Sequence, residues 1–226
     1  FLTHQKEDFE HYLSHLNAFI DNAWEDLNDN SKMLASVYQN LSKLNKTLLY
    51  NDFQAGIALI PEIQNSLEVF DNYMDEYRSL LFEFKYAYLH FAIADFEKAL
   101  DFLNNIVLIK NTQLPKDLQI YASLLQIMCL FETKQYDLMS YFLSPLSRFV
   151  NKFPFKNRTQ VLLLDFLKKL AMLPPSEAAT AFSIFEREVA ELRKDPLEAK
   201  ALHYLRPDFW AKSHLDNCTV EEASYE

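Results

Sequence analysis

The sequence predicts an all-α fold, a right-handed solenoid of about four or five antiparallel helix hairpins. Three observations predict it. The chain has 226 residues and a single glycine, Gly56. The turns of strand-rich folds and the loops that cradle phosphates both need several glycines, so one glycine argues strongly against β folds, dinucleotide-binding domains and P-loops together. Apolar residues recur with a helical period along most of the chain. A short pattern also returns at spacings of 43 and then 40 residues, measured from Phe53 to Phe96 to Tyr136.

The elements follow in order. Phe9, Tyr12, Leu13, Leu16, Phe19, Ile20, Ala23, Trp24 and Leu27 form one apolar stripe on a first helix. Asn28, Asp29 and Asn30 break it, and Ser31 is placed to cap a second helix running to about Tyr50. Three segments then align: NDFQAGIALI from Asn51, ADFEKALDFL from Ala94 and KQYDLMSYFL from Lys134. Each starts polar and reaches an aromatic, Phe53, Phe96 or Tyr136. Three residues on stand Gly56, Ala99 and Met139, and three further on Leu59, Phe102 and Phe142. Another step of 40 reaches SEAATAFSIF, where Ala179 and Phe182 fill the same columns. The small residue lets two helices approach, and the large one fills the gap between neighbouring hairpins. Pro115, Pro154, Pro174, Pro175, Pro196 and Pro207 suit helix starts, whereas Pro61 falls inside a helical run and is expected to kink or break it.

FEFKYAYLHF, from Phe82 to Phe91, tests this reading. Its aromatics at Phe82, Phe84, Tyr86 and Tyr88 alternate as in a half-buried strand. The segment leads straight into the turn Ile93–Ala94–Asp95 and the second helix of a repeat. It is therefore predicted to be the first helix of a hairpin, contacted on several faces.

ADFEKAL resembles the middle of the tetratricopeptide motif, in which an aromatic opens the second helix and an alanine follows three residues later. Ala87, nine residues before Phe96, stands where that motif has a small residue in its first helix. The resemblance is clear from Phe82 to Val107. It is partial around Tyr136, where Met139 replaces the small residue, and weak elsewhere. The whole chain is also similar to uncharacterised bacterial tetratricopeptide-like proteins, in these repeats and in a C-terminal helix with a tryptophan, DFWAKSHL from Asp208. The resemblance implies no activity. It implies a concave groove for a peptide or partner domain, lined by Phe84, Tyr88 and Phe91 from one repeat and by Tyr121, Leu124 and Met128 from the next. The competing reading is that a neighbouring helix of the same chain covers these side chains.

Composition narrows the function classes. A net charge of −10 disfavours nucleic acid, which demands cations. The longest apolar run, Ile120 to Phe131, contains Ser123 and Gln126 and is too short to span a bilayer. Neither nucleic acid nor membrane is expected as a partner. Cys129 and Cys218 are too far apart in sequence to suggest a zinc knuckle or a disulfide framework, so a reducing, cytoplasmic setting is expected. The chain opens on Phe1 rather than methionine and reads as a piece of a longer protein. Residues 1–215 are expected to form one helical-repeat domain, and 216–226, DNCTVEEASYE, a loosely ordered polar tail.

Three other constellations carry possible chemistry. Arg148, Lys152, Lys156, Arg158, Lys168 and Lys169 form a basic run opposed only by Asp165, suited to an acidic or phosphate-bearing partner or simply to a solvated face. His4, Asp8, His11 and His15 share one helical face and could ligate a metal, although no H-E-x-x-H pattern is present and no metal site is assigned. Asp71 and Asp75, four apart with Glu76 adjacent, lack the D-D-x-x-D pattern of magnesium-holding helices and read with Glu68 as an acidic solvent face. No nucleophilic triad is visible; Cys218 follows His214 by four residues, at the edge of the polar tail. The expectation is a non-enzymatic protein-interaction scaffold without a cofactor. The alternative is an all-helical metal-dependent protein or enzyme using the His4/His11/His15 or Asp71/Asp75 face.

Overall fold

The structure is a computed structural model that describes residues 6–70, 72–108 and 115–225. Among the described residues every regular element is helical. Helix α1 (Lys6–Ala23) leads through a 3-10 turn to α2 (Asp29–Tyr50), followed by α3 (Phe53–Glu68), α4 (Glu76–Ala92), α5 (Phe96–Val107), α6 (Lys116–Glu132), α7 (Tyr136–Lys152) and α8 (Arg158–Leu170). A second 3-10 turn precedes α9 (Ala178–Leu192), α10 (Pro196–Leu202), α11 (Pro207–Asp216) and α12 (Val220–Ala223). None of the described helices is long and apolar enough to cross a membrane.

The repeat seen in the sequence is a repeated turn. Asn51, Ala94 and Lys134 all adopt left-handed backbone, with φ of 58°, 64° and 59°. The next N–H in each case reaches back to the preceding helix: Asp52 to the Thr47 carbonyl at 2.8 Å, Asp95 to His90 at 2.9 Å, Gln135 to Leu130 at 2.8 Å. These bonds satisfy helix-end carbonyls that would otherwise lack donors. Asp52 and Asp95 then cap the following helix, their carboxylates accepting from the N–H groups of Ala55 and Lys98. The fourth alignment fails at this level. The chain enters α9 through the 3-10 turn Pro175–Glu177, and Ala179 is exposed while Phe182 is buried.

Two further expectations are corrected. Asn28, not Ser31, caps α2: its side chain accepts from the Ser31 N–H at 2.9 Å. Helix α3 runs without a break through Pro61, as α7 does through Pro145. Both prolines are exposed, on faces where the carbonyl freed four residues earlier can meet solvent.

Helices α3, α5 and α7 each pack between the helices before and after them, and α2, α4, α6 and α8 touch in succession. This leaves α4 and α6 surrounded. Phe82, Phe84, Tyr86 and Tyr88 are therefore all buried despite their strand-like alternation. In α6 nearly every side chain from Ile120 to Leu130 is inside. Gly56 marks one tight crossing. A Cβ there would lie 2.6 Å from Leu89 Cδ2 and 2.7 Å from Thr47 Oγ1. Ala99 and Met139 occupy the same column and are also fully buried.

After α8 the path changes. Helix α9 packs on α8 and α11, α10 returns to α8, and α12 sits on α11 and α4. The expectation of a loose tail is overturned. Val220 and Ala223 are buried, and Asn51 Nδ2 donates to the Ser224 carbonyl at 3.0 Å. The polarity that suggested a tail belongs partly to a capping box, Thr219 with Glu222, that starts α12.

Candidate functional site

The six groove residues are interior. Phe84, Tyr88, Phe91, Tyr121, Leu124 and Met128 are each at most 6% exposed. An open groove lined by them is thus corrected to a buried row, covered in part by the chain's own C-terminal segment. Tyr204, which follows α10, stacks on Tyr121 with ring centroids 4.7 Å apart, and Asn157 Nδ2 donates to the Tyr121 hydroxyl at 2.7 Å. Tyr88 packs edge-on to Phe53 and feels the charges of Arg206 and Asp208 beside α11. Burial raises both phenols well above their usual range. The six were legible as important apolar positions; what covers them was not.

An opening lies where this segment meets the row. It is a cavity of about 250 Å³, walled by Phe91, Phe96 and Trp210 and edged by Glu132, His214 and Cys218. Ala94, left-handed in the α4–α5 turn, forms part of its rim, which helix geometry alone could not supply. Glu132, the last residue of α6, is the hub. Its Oε1 accepts from Trp210 Nε1 at 2.5 Å and is bonded to His214 Nε2 at 2.6 Å. Among the described residues Oε2 receives no hydrogen bond.

The imidazole of His214 lies flat on Phe182, with centroids 3.9 Å apart. Trp210 is enclosed by Phe131, Phe166, Phe182 and Phe185. The carboxylate is therefore held by two donors whose own positions are fixed by packing. Trp210 and His214 are four residues apart on α11, and that spacing was readable. Their partner Glu132 lies 78 and 82 residues away, and only the fold brings it in.

The two cysteines differ. Cys129 is wholly buried in α6, and burial pushes its thiol well above the ordinary value. Cys218 is partly exposed and lines the cavity.

The basic run is not one patch. Arg148, Lys152, Lys156 and Arg158 gather around the α7–α8 corner. Lys168 and Lys169 sit at the far end of α8, about 15 Å along the helix axis. Lys168 is moreover paired with Asp165 at 3.0 Å.

The metal-directed alternatives gain no geometry. His11 and His15 pack ring to ring at 4.4 Å on exposed α1, and His4 lies outside the described residues. Asp75 caps α4, accepting from the Arg78 N–H at 2.9 Å and pairing with its guanidinium, while Asp71 also lies outside the described residues. Among the described residues no three His, Cys, Asp or Glu side chains come together as a metal site. Compared with family models, curated proteins and solved structures, the chain matches none.

Proposed function

We propose that this chain is a non-enzymatic protein-interaction scaffold, a tetratricopeptide-like right-handed solenoid that takes a partner peptide at the Glu132 cavity. The cavity carries the reading. At about 250 Å³ it is smaller than the usual small-molecule site and matches one long side chain. Aromatic walls receive an apolar stem, and Glu132 Oε2 offers an acceptor at the end of it. A lysine, arginine or amide-bearing side chain fits that combination. The triplicate turn at Asn51, Ala94 and Lys134 supports the repeat plan, because hairpins closed the same way stack the same way. Pre-organised hairpins leave little ordering cost on this side of a complex.

A random peptide library selected on the purified chain tests the reading. Selected peptides should share one basic or amide anchor with apolar neighbours. Binding should fall about tenfold in Glu132→Gln, which keeps an acceptor for Trp210 and His214 but loses the charge. Capping Cys218 with a maleimide should block the cavity and abolish binding. Peptides that bind equally well to the Gln variant and to the capped chain would refute the cavity as the site.

A further inference from the structure

The α7–α8 corner presents a combination that the cavity does not explain. Phe155 is 83% exposed at its tip. It is flanked in sequence by Lys152 and Lys156, with Arg148 one turn earlier on α7 and Arg158 opening α8. All four cations are exposed. Among the described residues Arg148 and Lys152 have no ion-pair partner, and Arg158 has only Asp195 at 3.9 Å. From Leu138 to Leu164 the chain has no aspartate or glutamate, although its net charge is −10.

This corner is built rather than loose. Lys156 Nζ donates to the carbonyls of Asn151 and Phe153 at the end of α7. Asn157 caps α8 in a box with Gln160 and donates to Tyr121. Buried Glu198 accepts from the N–H groups of Arg158 and Thr159 and from the Thr159 hydroxyl, tying α10 to the same corner. Leu197, 76% exposed, comes with it. Phe153 meets Phe155 edge-on at 6.1 Å and braces it from below. A capped and tied frame thus holds an aromatic ring largely in water, among four exposed cations.

We propose that the α7–α8 corner docks on an anionic lipid surface. Phe155 enters the headgroup layer, and Arg148, Lys152, Lys156 and Arg158 meet the headgroup phosphates and carboxylates. The shape selects this occupant. A protruding ring set among cations, with Leu197 also exposed on the same corner, matches a headgroup layer, which yields around the ring while its charges meet the cations. The charge fits as well: each cation near such a surface is worth about fivefold in partition. The acidic remainder of the chain does not cancel this, because charges beyond about 8 Å are screened at physiological salt. The inference departs from the expectation that no membrane is met, which rested on the lack of a bilayer-spanning run.

Vesicle flotation of the full 226-residue chain tests it. Vesicles of neutral phosphatidylcholine are compared with ones carrying about 30 mol% phosphatidylserine. The chain should float with the anionic vesicles alone and be released as ionic strength rises to about 0.5 M. Lys152→Gln with Lys156→Gln should weaken binding roughly 20-fold. Phe155→Ser should weaken it several-fold at unchanged helicity, since the ring is outside the core. Equal flotation with neutral vesicles, none with anionic ones, or binding untouched by these variants would overturn the proposal. So would retention of an acidic polyglutamate peptide without vesicle binding, which would assign the corner to a protein.

Discussion

Replacing the sole glycine with alanine sets two effects of opposite sign against each other. In Gly56→Ala the helix gains about 1 kcal/mol of intrinsic propensity. Against this, the new methyl would stand 2.6 and 3.0 Å from the two ends of Leu89 and 2.7 Å from Thr47 Oγ1. Leu89 is 0% exposed, so neither of its methyls has free space to swing into. Thr47 Oγ1 donates to the Leu44 carbonyl at 2.9 Å, and turning it away gives up that bond, about 1 kcal/mol. Overpacking of this kind costs roughly 1–3 kcal/mol. Steric cost wins, and the net loss is about 1–2 kcal/mol. For a chain of this size that lowers Tm by roughly 3–6 °C. Thermal unfolding followed by circular dichroism, with urea titration beside it, measures both quantities. Leu89→Ala should cost less in the Gly56→Ala background than alone, because it opens the space the methyl needs. A Gly56→Ala protein as stable as the parent would show that the α3–α4 crossing is looser than described and refute the packing argument.

Three other predictions rest on separate features. Ala94→Gly and Lys134→Gly should each stabilise by about 0.5–1 kcal/mol in urea unfolding, since both residues hold left-handed backbone at exposed turns without a glycine. Lys85 is half-buried and its ammonium donates to Asn45 Oδ1 at 2.7 Å; desolvation lowers its pKa from 10.5 to about 8. Below about pH 8 both folded and unfolded states carry that proton, and the folded state bears the whole desolvation cost. Between pH 8 and about 9 the folded state sheds it first, so stability should rise by roughly 1 kcal/mol there and not rise in Lys85→Met; from about pH 9 the buried Cys129 thiol, which ionises only on unfolding, opposes the gain. Above about pH 10 the trend reverses, because Tyr86, Tyr88 and Tyr121 resist ionisation only when folded; urea midpoints across the range check both limbs. Finally, a thiol reagent should modify Cys218 quickly and Cys129 only on unfolding, giving one fast equivalent before denaturant and two after.

Local signals carried far in this chain and long-range ones did not. The alignment of Phe53, Phe96 and Tyr136 marks three helix starts, each just after a left-handed residue, because a turn followed by an aromatic helix start leaves a local sequence trace. Helix α4 was readable despite its alternating aromatics, since the turn after it could only follow a helix. The cap at Asn28 was missed because Ser31, three residues later, is an equally good capping type. The groove residues were recognised as a set, but whether water or protein faces them depends on Tyr204 and α11, far off in sequence. Glu132 carried no local signal at all: a glutamate ending a helix is ordinary until Trp210 and His214 arrive beside it.

The return of the C-terminal segment has a consequence for biosynthesis. Asn51 bonds Ser224 and Gln54 bonds Glu221, contacts that span 173 and 167 residues. The ribosome makes α4 and α6 well before the residues that cover them. At roughly 5–20 residues per second, the faces of Tyr88 and Tyr121 wait on the order of ten seconds for α10 to α12. During that wait a nascent chain shows holdase chaperones an aromatic surface that the finished fold hides. A product stopped short of Trp210 lacks the side chains that cover part of that row. Segment 196–225 therefore sets how long that part of the aromatic row stays open during synthesis.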